Sequence, residues 1–246
     1  MKKRVLITGG NKGIGLALTQ LFLQKTEFDI VVVARDFSGF KMLSWAQTPR
    51  IQCIEYDLTD LDNLPGLVNT VGDIDVLVNN AGLLQPLTYD AYPIANRDYS
   101  LKLNIQAPVK LMELFGARMV QRAQINALQS SALRGRMVNN ASIAGQIGHP
   151  DIWYGIAKAG LINATKSFSK AFAGQVIVNA VAPSPTATDM LDSIPQHRQQ
   201  AFLKKTISQR FATAQEVAQT LFWLAIDSPE YINGVCIDIN NGAFPR

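Results

Sequence analysis

Tyr154 and Lys158 stand four residues apart, with Gly155-Ile156-Ala157 between them. On a helix that spacing puts a phenol and an ammonium on one face, one turn apart. A carbonyl reduced by hydride becomes an alkoxide that needs a proton, and a phenol of pKa about 10 is a slow donor at neutral pH. A fixed ammonium favours the phenolate and is expected to pull that pKa down. Alone, the pair reads as a packed tyrosine beside a solvated lysine, the usual explanation of such a match. Ser142 adds a third group. It follows the short apolar run Met137-Val138, within Asn140-Ala141-Ser142-Ile143-Ala144-Gly145, at the strand end where α/β folds place their sites. Its hydroxyl can donate to a substrate carbonyl and to the charge developing there; otherwise it is a turn serine.

A second constellation lies at the start of the chain. Thr8-Gly9-Gly10-Asn11-Lys12-Gly13-Ile14-Gly15 follows Val5-Leu6-Ile7 and opens a helical pattern running from Ile14 to Gln24. Glycines there allow a tight turn and let a pyrophosphate approach the backbone at a helix N-terminus. The next apolar run, Ile30 to Val33, ends in Ala34-Arg35, where many dinucleotide folds carry an acid for the ribose 2′-hydroxyl. An alanine does not repel a 2′-phosphate, and Arg35 can donate charge-assisted hydrogen bonds to it. Lys12 offers a second cation on the same side. NADP(H) is therefore the expected cofactor. NAD(H) is the alternative if Asp36 turns inward to a ribose, with Arg35 and Lys12 then merely solvated.

Gly9, Gly13 and Gly15 are spaced Gly-x-x-x-Gly-x-Gly, not Gly-x-Gly-x-x-Gly. The turn resembles the Thr-Gly-x-x-x-Gly-x-Gly of the short-chain dehydrogenase/reductase (SDR) family. Asn79-Asn80-Ala81-Gly82 is similar to that family's Asn-Asn-Ala-Gly, and Asn104, Ser142, Tyr154 and Lys158 fall where its catalytic residues stand. The resemblance covers nearly the whole chain and points to the single-domain branch with 3-oxoacyl-ACP reductase-like members. It implies Tyr154 as general acid/base, Ser142 as the group positioning the carbonyl, and Lys158 as the group tuning the tyrosine and holding ribose. Asn104 would kink its helix and hold a proton-relaying water; read from its residues alone it is an exposed helix asparagine. For the cofactor, the resemblance implies Thr8, Gly9, Asn11, Lys12, Gly13, Ile14, Gly15 and Arg35 at the phosphates. It further implies Asp57 and Leu58 at the adenine, Asn80, Ala81 and Gly82 alongside, and Pro183, Thr186 and Thr188 at the nicotinamide, with Tyr154 and Lys158 shared. Asp57 also reads as a plain turn or cap aspartate. Two departures stand out: Ser184 occupies a usual glycine position, and the Ser142–Tyr154 interval is one residue short.

The elements that must position these groups follow from periodicity. Val5–Ile7, Ile30–Val33, Ile51–Tyr56, Val76–Val78, Met137–Val138, Val176–Val181 and Val235–Ile239 read as strands buried on both faces. Ile14–Gln24, Leu101–Arg122, Tyr154–Phe172 and Ala214–Ala225 read as helices. The alternation predicts an α/β fold, a Rossmann-type doubly wound parallel sheet flanked by helices, as one domain over residues 1–246. Gln121–Gly135 is expected to end a helix in a surface loop. Pro183–Ser208 reads as irregular, with 185–208 as a substrate lid carrying Met190, Leu191, Ile194 and Phe202.

Apolar residues at 48% and charged residues at 17% exclude a disordered chain. A net charge of +4 with no basic run beyond Lys2-Lys3-Arg4 speaks against nucleic acid as a partner. The first apolar run is too short for a secretory signal, and none approaches the roughly 20 residues of a membrane span. Isolated Cys53 and Cys236 suggest a reducing compartment, and His149 and His197 make no metal pattern. A cytoplasmic enzyme is expected; a homo-oligomer, tetramer or dimer, comes from the resemblance. The expected activity is NADPH-dependent reduction of a carbonyl to an alcohol, or its reverse, on a 3-oxoacyl thioester or another ketone. The alternative is a non-catalytic NADP-binding regulator on the same fold, told apart by cofactor binding without turnover.

Overall fold

The computed structural model describes residues 2–127 and 134–246. Short Val/Ile/Leu runs form strands because branched side chains suit a pleated, doubly covered surface. The chain begins β1 (Arg4–Thr8), α1 (Gly13–Lys25), β2 (Asp29–Ala34), α2 (Ser38–Lys41) and β3 (Ile51–Glu55). It continues α3 (Leu64–Val71), β4 (Val76–Asn79), α4 (Ile94–Leu101), α5 (Ala107–Ala127) and β5 (Gly135–Asn140). The remainder is α6 (Ile152–Ala171), β6 (Val176–Pro183), β7 (Thr186–Ala187), α7 (Asp189–Asp192), α8 (Gln196–Leu203), β8 (Ala212–Thr213), α9 (Ala214–Ile226) and β9 (Cys236–Ile239).

Seven parallel strands form the main sheet in the order β3-β2-β1-β4-β5-β6-β9. The order reverses between β1 and β4, which are direct neighbours paired Val5–Val76 to Ile7–Val78. A doubly wound sheet opens a crevice at that switch point, outside the carboxyl ends of the strands. One face buries Leu18 and Phe22 of α1 against Val217, Leu221 and Phe222 of α9. The other packs Leu64 and Leu67 of α3, Leu111, Met112 and Phe115 of α5, and Leu161 of α6 on the sheet.

Three parts differ from the sequence expectation. The helix expected over Leu101–Arg122 is α4 and α5 joined through a π-helical turn, Lys102–Gln106. The stretch expected as a loop from Gln121 stays helical to Ala127; its portion 128–133 lies outside the described residues. The segment after Pro183 is not irregular throughout but folds into β7, α7 and α8. Helix α3 went unpredicted because eight residues carrying Pro65 and Gly66 show little periodicity, although proline in a first turn is well tolerated. Among the described residues, no helix is long and apolar enough to cross a membrane.

Candidate active site

The glycine turn sits on the switch point. Gly9 and Gly13 adopt φ of 63° and 52°, the left-handed region that favours glycine. A Cβ on Gly15 would lie 2.0 Å from the Gly9 carbonyl oxygen, so α1 starts in direct contact with the turn's backbone. Lys12 caps α1 without a side-chain hydrogen bond, leaving the helix's first N–H groups directed at the crevice. Thr8 Oγ1 accepts from the N–H groups of Asn80 and Ala81 at 2.9 and 3.0 Å. Asn80 Nδ2 in turn donates to the carbonyls of Thr8 and Gly9, both at 3.1 Å. Gly9, Asn11, Lys12, Gly13 and Ile14 line a cleft of about 850 Å³ together with Asn80, Ala81 and Gly82. Thr8 and Gly15 do not line it; both are buried behind it and shape the turn.

Beyond β2, the exposed Arg35 lies at the cleft and donates to the Tyr99 hydroxyl at 2.5 Å, its guanidinium 5.9 Å from the ring centroid. Asp36 is not turned to a ribose. Its carboxylate accepts from the Ser38 N–H (2.8 Å) and hydroxyl (3.0 Å), and these bonds hold it below the usual carboxylate range. Its backbone carbonyl accepts from Asn11 Nδ2 at 2.7 Å, which ties the glycine turn to the end of β2. Asp57 and Leu58 line the cleft, with Asp57 Oδ1 accepting from the Thr59 N–H and hydroxyl at 2.9 Å, as a turn aspartate does.

The side chains expected to react come from α6 and from the end of β5. Asp151, fully buried, caps α6: its carboxylate accepts from the Tyr154 N–H (3.1 Å), the Tyr92 hydroxyl (3.0 Å) and the Gln85 N–H (2.9 Å). Tyr154 is thereby fixed in the first helical turn. One turn on, Lys158 Nζ donates to the Asn140 carbonyl at 2.8 Å and lies 5.6 Å from the Tyr154 ring centroid. Asn140 Nδ2 donates to Asn80 Oδ1 at 2.9 Å, so one chain of bonds runs from the Gly9 carbonyl to the lysine. Ser142, at the head of the turn Ile143–Gly145, accepts from the Ala144 N–H at 3.1 Å, and its hydroxyl favours the Tyr154 phenolate. The sequence predicted a phenol pulled down by its ammonium; burial reverses this. Desolvation pushes Tyr154 up to about 12, against the Ser142 hydroxyl, with the Asp151 charge adding to the rise. Desolvation also brings Lys158 down to about 8. The ammonium is bonded to a backbone carbonyl, so loss of water dominates both groups.

Asn104 lies in the π-helical turn, fully buried and behind the cleft. Its Oδ1 accepts from the Leu83 N–H at 3.0 Å and its Nδ2 donates to the Leu83 carbonyl at 2.9 Å. The wide turn aims this amide inward, and the exposed-helix reading falls. A Cβ on Gly82 would meet Asn104 Oδ1 at 3.0 Å and Lys158 Nζ at 3.4 Å, so glycine keeps the space between them open.

Pro183, Thr186 and Thr188 line the far side. Ser184 avoids the left-handed region and donates its N–H to the Ile239 carbonyl at 2.9 Å, so replacing the usual glycine strains nothing. Thr188 Cγ2 would lie 3.3 Å from a Cβ on Gly13, closing this segment onto the glycine turn. Three glycines thus leave a cradle that side chains would fill, and the cations Lys12 and Arg35 stand along it. The site fits an anionic dinucleotide.

A family model described as short chain dehydrogenase matches residues 3–199. The chain belongs to the short-chain dehydrogenase family. This dehydrogenase is 31% identical to the 3-oxoacyl-(acyl-carrier-protein) reductase FabG of Thermotoga maritima, over 98% of the chain and 97% of that protein. It is 29% identical to the FabG of Haemophilus influenzae, with 98% of each covered. Among solved structures, ElxO with NADP bound superposes with a TM-score of 0.84 at 28% identity, covering 99% of both chains. A 4-hydroxyisoleucine dehydrogenase complexed with NADH shares the fold, with a TM-score of 0.87 at 21% identity over 98% of both chains. The chain is thus an enzyme of the NAD(P)-dependent short-chain dehydrogenase/reductase kind, an oxidoreductase on a Rossmann sheet.

Sequence reading missed several groups of this dehydrogenase's site. Asp151 carried a usable signal, a capping residue three positions before Tyr154 at a helix start. Tyr99 and His149 carried none, since only folding brings Tyr99 to Arg35 and sets the His149 ring 5.5 Å from that of Tyr154.

Proposed function

We propose that this dehydrogenase is an NADPH-dependent carbonyl reductase in which Tyr154 is the general acid. The observation that carries the reading is the convergence of Tyr154, Ser142 and Lys158 on one cleft, with Lys158 joined through Asn140 and Asn80 to the glycine turn. NADPH, when bound, supplies the hydride. Ser142 donates to the substrate's carbonyl oxygen and holds it beside the phenol. Tyr154 passes its proton to that oxygen as negative charge develops, and Ser142 and a protonated Lys158 stabilise the phenolate left behind. Asn104 is a positioning residue, fixing the Leu83 backbone beside the lysine; a relay water held there belongs to the same proposal.

The preference for NADP(H) is supported by Ala34, by Arg35 and by the Asp36 carboxylate committed to Ser38. The NADP-bound ElxO, at 28% identity, supports it as well. The FabG relatives support a 3-oxoacyl group as substrate. A lid over residues 185–208, a cytoplasmic setting and a homo-oligomeric assembly complete the reading. The test is NADPH consumption across a panel of ketones, with Tyr154→Phe as control. The variant should bind NADPH as wild type does and lose about 10²- to 10⁴-fold in kcat. Equal turnover by the two proteins would remove Tyr154 from the chemistry, and binding without turnover on any ketone would favour a regulator.

A further inference from the structure

The cleft has two walls of unlike character. The wall around the glycine turn carries the polar groups Asn11, Lys12, Arg35 and Asp57, whereas the wall supplied by α7 and α8 is mostly apolar with one half-buried arginine, Arg198. Met190, Leu191 and Ile194 make the apolar part. Arg198 is on a fixed element: the next residue, Gln199, donates Nε2 to the carbonyls of Leu191 (3.0 Å) and Ile194 (2.8 Å), fastening α8 to the end of α7. Phe202, one turn further, stacks on Phe211 with ring centroids 6.5 Å apart. Among the described residues, the Arg198 guanidinium has no hydrogen-bond or ion-pair partner, unlike Arg210, which is bidentate to Glu216. Its charge faces His149, which it helps to hold below the ordinary histidine range after burial has acted first. The His149 ring is in turn 5.5 Å from the ring of Tyr154. The other charges on this wall are Asp189 and the exposed Lys205.

A half-buried fork of donors without an acceptor, on the cleft that Tyr154 also lines and set in apolar surface, suits an oxyanion carried on a short apolar body. We infer that the substrate of this dehydrogenase is an oxo acid, whose carboxylate or phosphate is received by Arg198 while its ketone meets Ser142 and Tyr154. The inference rests on the carbonyl-reductase reading and sets a free anionic oxo compound in place of the 3-oxoacyl thioester as the substrate.

The test compares a 3-oxo carboxylate with its methyl ester, and a keto phosphate with the matching keto alcohol, in wild type, Arg198→Gln, Arg198→Lys and Lys205→Gln. Wild type should prefer the anionic member of at least one pair by about 10- to 100-fold in kcat/KM, the size expected of a charged hydrogen bond. Whichever pair shows the preference names the anion. Arg198→Gln should bring the ratio near one, chiefly through KM. Arg198→Lys should restore part of it, and Lys205→Gln should change it less. Equal use of the members of both pairs by wild type, or a preference surviving Arg198→Gln at an unchanged melting temperature, overturns the inference. Calorimetry decides it independently of turnover: Tyr154→Phe protein loaded with oxidised cofactor should bind a hydroxy acid or a hydroxyalkyl phosphate but not the matching ester or diol. Absence of any turnover with that binding preference intact sinks the reductase reading and keeps the anion site; equal binding sinks the anion site.

Discussion

The two ends of the cleft are built in opposite ways. At the Tyr154 end, Asp151 reaches a backbone group 66 residues away and Asn140 reaches Asn80 across 60, and Tyr154 and Lys158 are buried. At the adenosine end, Asp36 and Asp57 bond residues only two positions on, and Arg35 is exposed. Burial strengthens each interaction at the first end and shifts its titrations; exposure leaves the second end screened and easily altered. The contrast is one of range: bonds around Tyr154 join distant parts of the sheet, whereas Asp36 and Asp57 are held by their own turns, with Arg35 reaching across 64 residues to Tyr99.

Three changes would break or sharpen that contrast. Gly15→Ala joins the two ends and should have the largest effect. The new methyl overlaps the Gly9 carbonyl and comes within 2.6 Å of Asn80 Nδ2, so about 3 kcal/mol or more of stability should go, together with measurable cofactor binding. A variant that melts and binds NADPH like wild type would show the turn to be looser than described. Next comes pH. Lys158 sits at about 8 against an ordinary 10.5, so between those values the unfolded chain holds a proton that the native protein has released, and stability rises with pH. Tyr154 sits at about 12 against 10; there the native state keeps the proton, and stability falls above pH 10. The melting temperature in the absence of cofactor should therefore climb from pH 8 and level off near pH 9, where Cys236, pushed by burial up to about 11 from an ordinary 9, keeps a proton that the unfolded chain gives up; the climb, on the order of 1 kcal/mol, should vanish in Lys158→Met. A flat profile in wild type would mean that the ammonium is not desolvated.

The smallest effect belongs to the adenosine end. Arg35→Ala should weaken NADPH about 10- to 100-fold, leave NADH nearly untouched and not move the melting temperature, as read by fluorescence titration. Tyr99→Phe removes only the hydroxyl that orients the guanidinium and should cost a few-fold. Equal losses for both cofactors would sever Arg35 from the 2′-phosphate.

Local rules made much of this dehydrogenase readable from its residues. The glycine turn, the order of the strands and the helical spacing of Tyr154 and Lys158 each depend on φ, ψ or periodicity within a dozen residues or so, which a chain carries with it. Asp36 and Asp57 were ambiguous in sequence because each could face a ligand or its own turn, and only the folded loops settled that each bonds the residue two positions on. The breadth of the turn around Asn104 likewise needed α5 and α6 in place.

The sequence by itself determined that a phenol, an ammonium and a hydroxyl follow a dinucleotide-type turn on alternating strands and helices. Tertiary structure alone decided which way the phenol titrates, that Tyr99 meets Arg35, and that Arg198 lines the same cleft as Tyr154. Those outcomes turn on loss of water and on contacts between residues distant in the chain, and neither quantity exists until the sheet has closed.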